Sequence, residues 1–74
     1  MKERVKQIMA DVLDLDANSI DGRTTVDGTE SWDSLKHITL CLNLEEAFGV
    51  SLSVEEMETM LSYEDIVRVL NIKA

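Results

Sequence analysis

The chain contains no proline and only three glycines. Helices are therefore permitted almost everywhere, since the residues that break or loosen them are absent or rare. Alternating β-branched runs are also missing, so no sheet is signalled. Cys41 is the single cysteine. No internal disulfide can form, and the domain must stand on its core. No apolar run reaches the ~20 residues that a membrane span requires. Positive charge is scarce: seven Lys and Arg stand against fifteen Asp and Glu, a net charge of −8. That disfavours nucleic acid, whose binding rests on basic side chains that neutralise phosphates. It disfavours anionic membrane surfaces for the same reason. Basic partner surfaces are favoured, through steering more than tight contact.

What is present fits one small domain spanning residues 1 to 74. A chain of this length buries only roughly 60% of the surface exposed when unfolded. Little interior is left for an enclosed active-site cavity. The 45% hydrophobic content is that of a globular chain and not of a disordered one. Met1-Lys2-Glu3-Arg4 is charged and leads into an amphipathic pattern, unlike a signal-peptide core. A cytoplasmic monomer is the expectation.

The apolar spacing predicts an all-α fold: a small bundle of three main helices plus one short helix. Residues 2 to 15 form the first, with Val5, Ile8, Met9, Val12 and Leu13 on one stripe. Residues 16 to 33 are a long loop, pinned by Ile20 and Val26. A connection of that length in so small a domain is often functional. The second helix runs from about Ser34 to Phe48. Its expected core stripe is drawn from Leu35, Ile38, Cys41, Leu42, Leu44, Glu45 and Phe48, with Leu40 and Leu42 widening the apolar arc. Phe48, the only phenylalanine, is expected to anchor the core. Gly49 is placed to end the helix in the left-handed conformation. A short helix follows from about Val54 to Met60, with Met57 and Met60 inward and Glu55, Glu56 and Glu58 outward. Ser62 caps a last helix, whose apolar face is Ile66, Val67, Val69 and Leu70.

The candidate site is the head of the second helix, Ser31-Trp32-Asp33-Ser34-Leu35-Lys36-His37. The first N–H groups of a helix lack intrahelical partners, and its dipole leaves partial positive charge there. An anion attached at Ser34 would lie beside those donors. Asp33 is expected to cap the helix or lie beside the cap, and Trp32 would pack back over the helix like a hydrophobic staple. Serine and aspartate at a helix start are most often caps and nothing more.

Asp33-Ser34-Leu35 resembles the signature of acyl and peptidyl carrier proteins, and the resemblance covers nearly the whole chain. Leu44-Glu45-Glu46-Ala47-Phe48-Gly49-Val50-Ser51-Leu52 is similar to the family's second-helix ending, at the matching distance from Ser34. Val54 to Glu58 and Glu64 to Leu70 look like its short acidic helix and its last helix. The resemblance implies that Ser34, flanked by Asp33, receives a 4'-phosphopantetheine arm. The donor would be coenzyme A, and a phosphopantetheinyl transferase would act with Mg²⁺. The arm would hold an acyl or aminoacyl group as a thioester. A loading ligase and downstream transferases or synthases would be the partners. By the same resemblance Leu35, Leu40, Glu45, Glu46, Glu55 and Glu56 fall on or near the partner face. Lys36 and Trp32 depart from the pattern common in fatty-acid carriers. Trp-Asp-Ser-Leu followed closely by His looks more like stand-alone carriers of specialised pathways, or peptidyl and D-alanyl carriers. The alternative is an unmodified helical interaction module with the carrier fold.

Other chemistry fits less well. Asp33, Ser34 and His37 lie within one helical turn. A hydrolase would also need an oxyanion site and a water-excluding pocket, and no sequence points to either. His37 is expected as an exposed helix residue or one edging the arm. Asp14, Asp16 and Asn18 mimic the start of an EF-hand loop, but Ser19 and Thr25 stand where glycine and glutamate are required. Cys41 is expected as a small core residue.

Overall fold

A computed structural model describes residues 1–73. Among the described residues four α-helices surround one core: α1 (Lys2–Leu13), α2 (Ser34–Phe48), α3 (Val54–Thr59) and α4 (Tyr63–Lys73). No strand occurs among the described residues, so the all-α expectation holds.

The first helix stops two residues earlier than its apolar pattern suggested. Asp14 takes the left-handed conformation, with φ 57°, and its N–H bonds the Ala10 carbonyl. Aspartate tolerates that conformation better than most residues. The loop then makes one turn of 3-10 helix at Ala17–Ser19, capped by the Asp16 carboxylate, which accepts from the Asn18 N–H at 2.9 Å. The carboxylate that suggested a calcium loop is therefore used in a turn.

The rest of the loop is stitched to the far side of the domain. The Val26 N–H donates to the Leu61 carbonyl at 2.9 Å, and the Tyr63 N–H donates to the Thr24 carbonyl at 3.0 Å. Ile20 is buried and Val26 is half-buried, as their apolar character required. These ties hold the middle of the loop, so the segment leading to Ser34 starts from a fixed place.

The core is built from Val5, Met9 and Leu13 of α1, Leu40 and Leu44 of α2, Met60, and Ile66 and Leu70 of α4, all fully enclosed. α1 packs on both α2 and α4. The short α3 contributes no fully buried residue, and its partly buried Met57 packs against the core. Ser53 and Glu56 form a reciprocal capping box, and Lys73 pairs with Glu56 at 3.0 Å. The Glu45 carboxylate on α2 accepts the Leu52 N–H at 2.7 Å. Ser62 caps α4 as expected, accepting the Asp65 N–H at 3.0 Å.

Two expectations about α2 are corrected. Its Leu35, Ile38 and Leu42 do not face the core; they are 72%, 55% and 55% exposed. The inward face is Leu40, Cys41 and Leu44, on the opposite side of the wheel. Nor does Phe48 anchor the core. It is half-buried at the closing turn of α2, next to Gly49 with φ 64°, and packs only against the edge of the cluster.

Candidate modification site

Asp33 sets the geometry. Its backbone is extended and its carboxylate accepts the Lys36 N–H at 2.8 Å, so it caps α2. Ser34 is thereby the first helical residue, and its side chain is exposed. With Lys36 and His37 N–H groups bonded to Asp33, the earlier donors at Ser34 and Leu35 remain outside the helical ladder. The exposed Lys36 adds positive charge to the same turn.

Trp32 is 3% exposed and lies against the core, as a staple would. Its indole N–H donates to His37 Nδ1 at 3.1 Å. His37 Nε2 is 2.7 Å from the Met57 carbonyl. The expectation of an exposed His37 is therefore corrected: the ring is half-buried and both nitrogens are engaged. Those contacts also remove the hydrolase reading, because neither nitrogen is free to take a proton from Ser34.

Leu40, expected on the partner face, is 0% exposed and belongs to the core. It lies inside the core, out of reach of any partner that leaves the fold intact. Glu46 and Glu55 are exposed, whereas Glu45 and Glu56 are half-buried and hold α3 in place. The Ser53 backbone N–H, and Lys73 after it, keep the Glu56 carboxyl below its ordinary value. Its contribution to α3 is present above that ordinary value and is lost as the pH falls through the lower folded one.

Cys41 is buried, as expected of a small core residue. Burial, with the Glu45 charge second, pushes its thiol up to about 11. Alkylation of the folded protein at pH 8 should be about 100-fold slower than in urea, since the thiolate is the reactive form. The folded value is raised, so the stability linked to this group is complete below 9.0 and is lost as the pH climbs towards about 11. A thermal midpoint that falls over that interval, and holds in Cys41→Ala, is the expected result. Fast labelling at pH 8 would contradict the burial.

The residues fit a phosphodiester-linked arm. The hydroxyl of Ser34 is open to solvent, unlike the Ser31 hydroxyl three residues earlier, which is buried without a hydrogen-bond partner. An open groove of about 610 Å³ runs along the loop, past Asp14, Thr24, Glu30 and Ser31. No group of three or more potential metal ligands occurs among the described residues.

The fold is a compact helical module with an exposed serine at the head of one helix. A family model described as a phosphopantetheine attachment site matches residues 3–70. The chain is 34% identical over 71 residues to the acyl carrier protein of Thermosynechococcus vestitus, covering 96% of this chain and 88% of that protein. It is 37% identical over 65 residues to the acyl carrier protein of Clostridium acetobutylicum, covering 88% of this chain and 84% of that one. The chain belongs to the phosphopantetheine-binding carrier family, whose members are carriers and not catalysts, and its cofactor is covalently bound 4'-phosphopantetheine. No helix among the described residues is long and apolar enough to cross a membrane.

Proposed function

We propose that Ser34 is the attachment residue and that the chain carries an acyl or aminoacyl group for biosynthetic enzymes of the cytoplasm. The observation that carries this reading is the exposed Ser34 at the first position of α2, directly behind the Asp33 cap. The arm supplies a terminal thiol on which the cargo rides as a thioester. Attachment by a phosphopantetheinyl transferase forms one P–O bond to Ser34 Oγ and breaks the pyrophosphate bond of coenzyme A. Adenosine 3',5'-bisphosphate leaves, and the hydroxyl proton passes to a base of the transferase. The unpaired N–H groups at the start of α2 favour the resulting anion.

The partner face proposed here is the exposed side of α2. Leu35, Ile38 and Leu42 form an apolar strip beginning one residue after Ser34, and Glu46 continues it. Glu55 adds acidity from α3. Such a surface suits partners with an apolar contact ringed by basic residues, consistent with the net charge of −8. Glu45 and Glu56 border it, with their carboxylates also committed to α3. The relatives named as acyl carrier proteins favour an acyl cargo over an aminoacyl one.

The test is loading. Modified protein incubated with a panel of acid-activating ligases should gain an acyl mass that neutral hydroxylamine removes, as a thioester requires. Acylation that survives hydroxylamine, or that proceeds equally on the unmodified chain, would place the cargo elsewhere.

A further inference from the structure

The ring of His37 joins three parts of the fold. Trp32 belongs to the segment leading to Ser34, His37 to α2, and Met57 to α3. Indole Nε1 is a donor only and a backbone carbonyl an acceptor only. The neutral ring with its proton on Nε2 is therefore the one form that satisfies both contacts: Nδ1 accepts from Trp32 and Nε2 donates to Met57. The opposite tautomer would set N–H against N–H at Trp32 and lone pair against lone pair at Met57. An imidazolium would break the first contact. The Cys41 Sγ lies 3.8 Å from Nε2 and completes the surroundings of the ring.

We infer that His37 is a positioning residue that ties the placement of α3 to the placement of Trp32, and through Trp32 to the presentation of Ser34. The inference rests on Ser34 as the attachment residue for its functional consequence, but not for its structural part. It follows from how α3 is held. α3 contributes no fully buried side chain, only the partly buried Met57 packed against the core, and its polar ties to α2 include the Leu52 N–H donated to Glu45 before it and the His37 Nε2–H donated to the Met57 carbonyl near its end. Loss of the second leaves that end of α3 to the packing of Met57 and Met60 alone. The same loss leaves the indole N–H without its acceptor, since one ring serves both. A partner that displaces α3 thereby shifts Trp32, and a partner gripping the serine segment shifts α3.

The test compares the unmodified wild-type chain with His37→Leu and His37→Gln. Glutamine keeps one acceptor and one donor in place of the two ring nitrogens; leucine keeps neither. In the wild type, ¹⁵N shifts of the ring should report an unprotonated Nδ1 and a protonated Nε2 at neutral pH. In His37→Leu, exchange of the Trp32 indole N–H and of the α3 amides should accelerate together, by roughly tenfold, with α1 and α4 unchanged. The KM of a phosphopantetheinyl transferase for the carrier should rise while kcat holds, and His37→Gln should restore both readouts. The opposite tautomer, an averaged ring, or acceleration of only one of the two segments would overturn the inference. Should the leucine variant fail to fold, the ring shifts and the glutamine variant decide. The exchange and ring measurements do not involve the arm, so they stand apart from any failure of modification at Ser34.

Discussion

Leu40→Ala is expected to cost about 2–5 kcal/mol, and Leu35→Ala less than about 0.5. The two residues are five apart on the same helix and chemically identical. Leu40 is fully enclosed, whereas Leu35 is 72% exposed. Truncating Leu40 removes buried methyl groups and leaves a cavity that close-packed neighbours fill only partly. Truncating Leu35 removes little that was hidden from water. In a domain of this size each kcal/mol moves the thermal midpoint by about 4–8 °C. Circular dichroism melts of the two variants should therefore separate clearly. Equal losses would mean that the Leu35, Ile38 and Leu42 strip is covered in solution, and would overturn the assignment of that face to partners.

Trp32→Ala should be the more damaging of two aromatic truncations, at about 3–5 kcal/mol against about 1–2 for Phe48→Ala. Trp32 is 3% exposed, and its loss also strips His37 Nδ1 of its donor in a half-buried place. Phe48 gives up only part of its area on folding. Urea unfolding followed by circular dichroism gives both values free of the missing fluorophore. A larger loss at Phe48 would restore it as the anchor of the core and contradict the packing described above.

That pair marks where the sequence could be read and where it could not. The limits of α2, the Asp33 and Ser62 caps and the Gly49 terminus were legible because each rests on local chemistry: a side-chain acceptor for a free N–H, or a residue without a Cβ at positive φ. The faces of α2 were not. Leu35, Ile38 and Leu42 recur at i, i+3 and i+7, and so do Cys41, Leu44 and Phe48 at i, i+3 and i+7. Periodicity tells that a stripe exists and is silent about which of two stripes the other helices cover. Only the placement of α1 decides it, and that is a long-range fact. The same limit hid Leu40, which resemblance put on the partner face and packing put in the core.

His37 was missed for a different reason. Its partners are a tryptophan five residues before it and a main-chain carbonyl twenty residues after it. No spacing rule links a ring nitrogen to a carbonyl on another helix. The local half was visible in principle, since an indole donor before the helix and an imidazole acceptor in its first turn stand close enough to meet. The candidate site itself was read from Asp33-Ser34-Leu35 and the second motif at Leu44 to Leu52, and the family match over residues 3–70 agrees with the resemblance those residues carry.

The proposed carrier function turns on Ser34. Intact mass should be recorded after incubation of the folded protein with coenzyme A, Mg²⁺ and a broad-specificity phosphopantetheinyl transferase, beside Ser34→Ala. One phosphopantetheinyl group gained by the wild type and none by the variant, both with the same helical spectrum, is the predicted result. The same gain in Ser34→Ala, or no gain in a folded wild type, would contradict it.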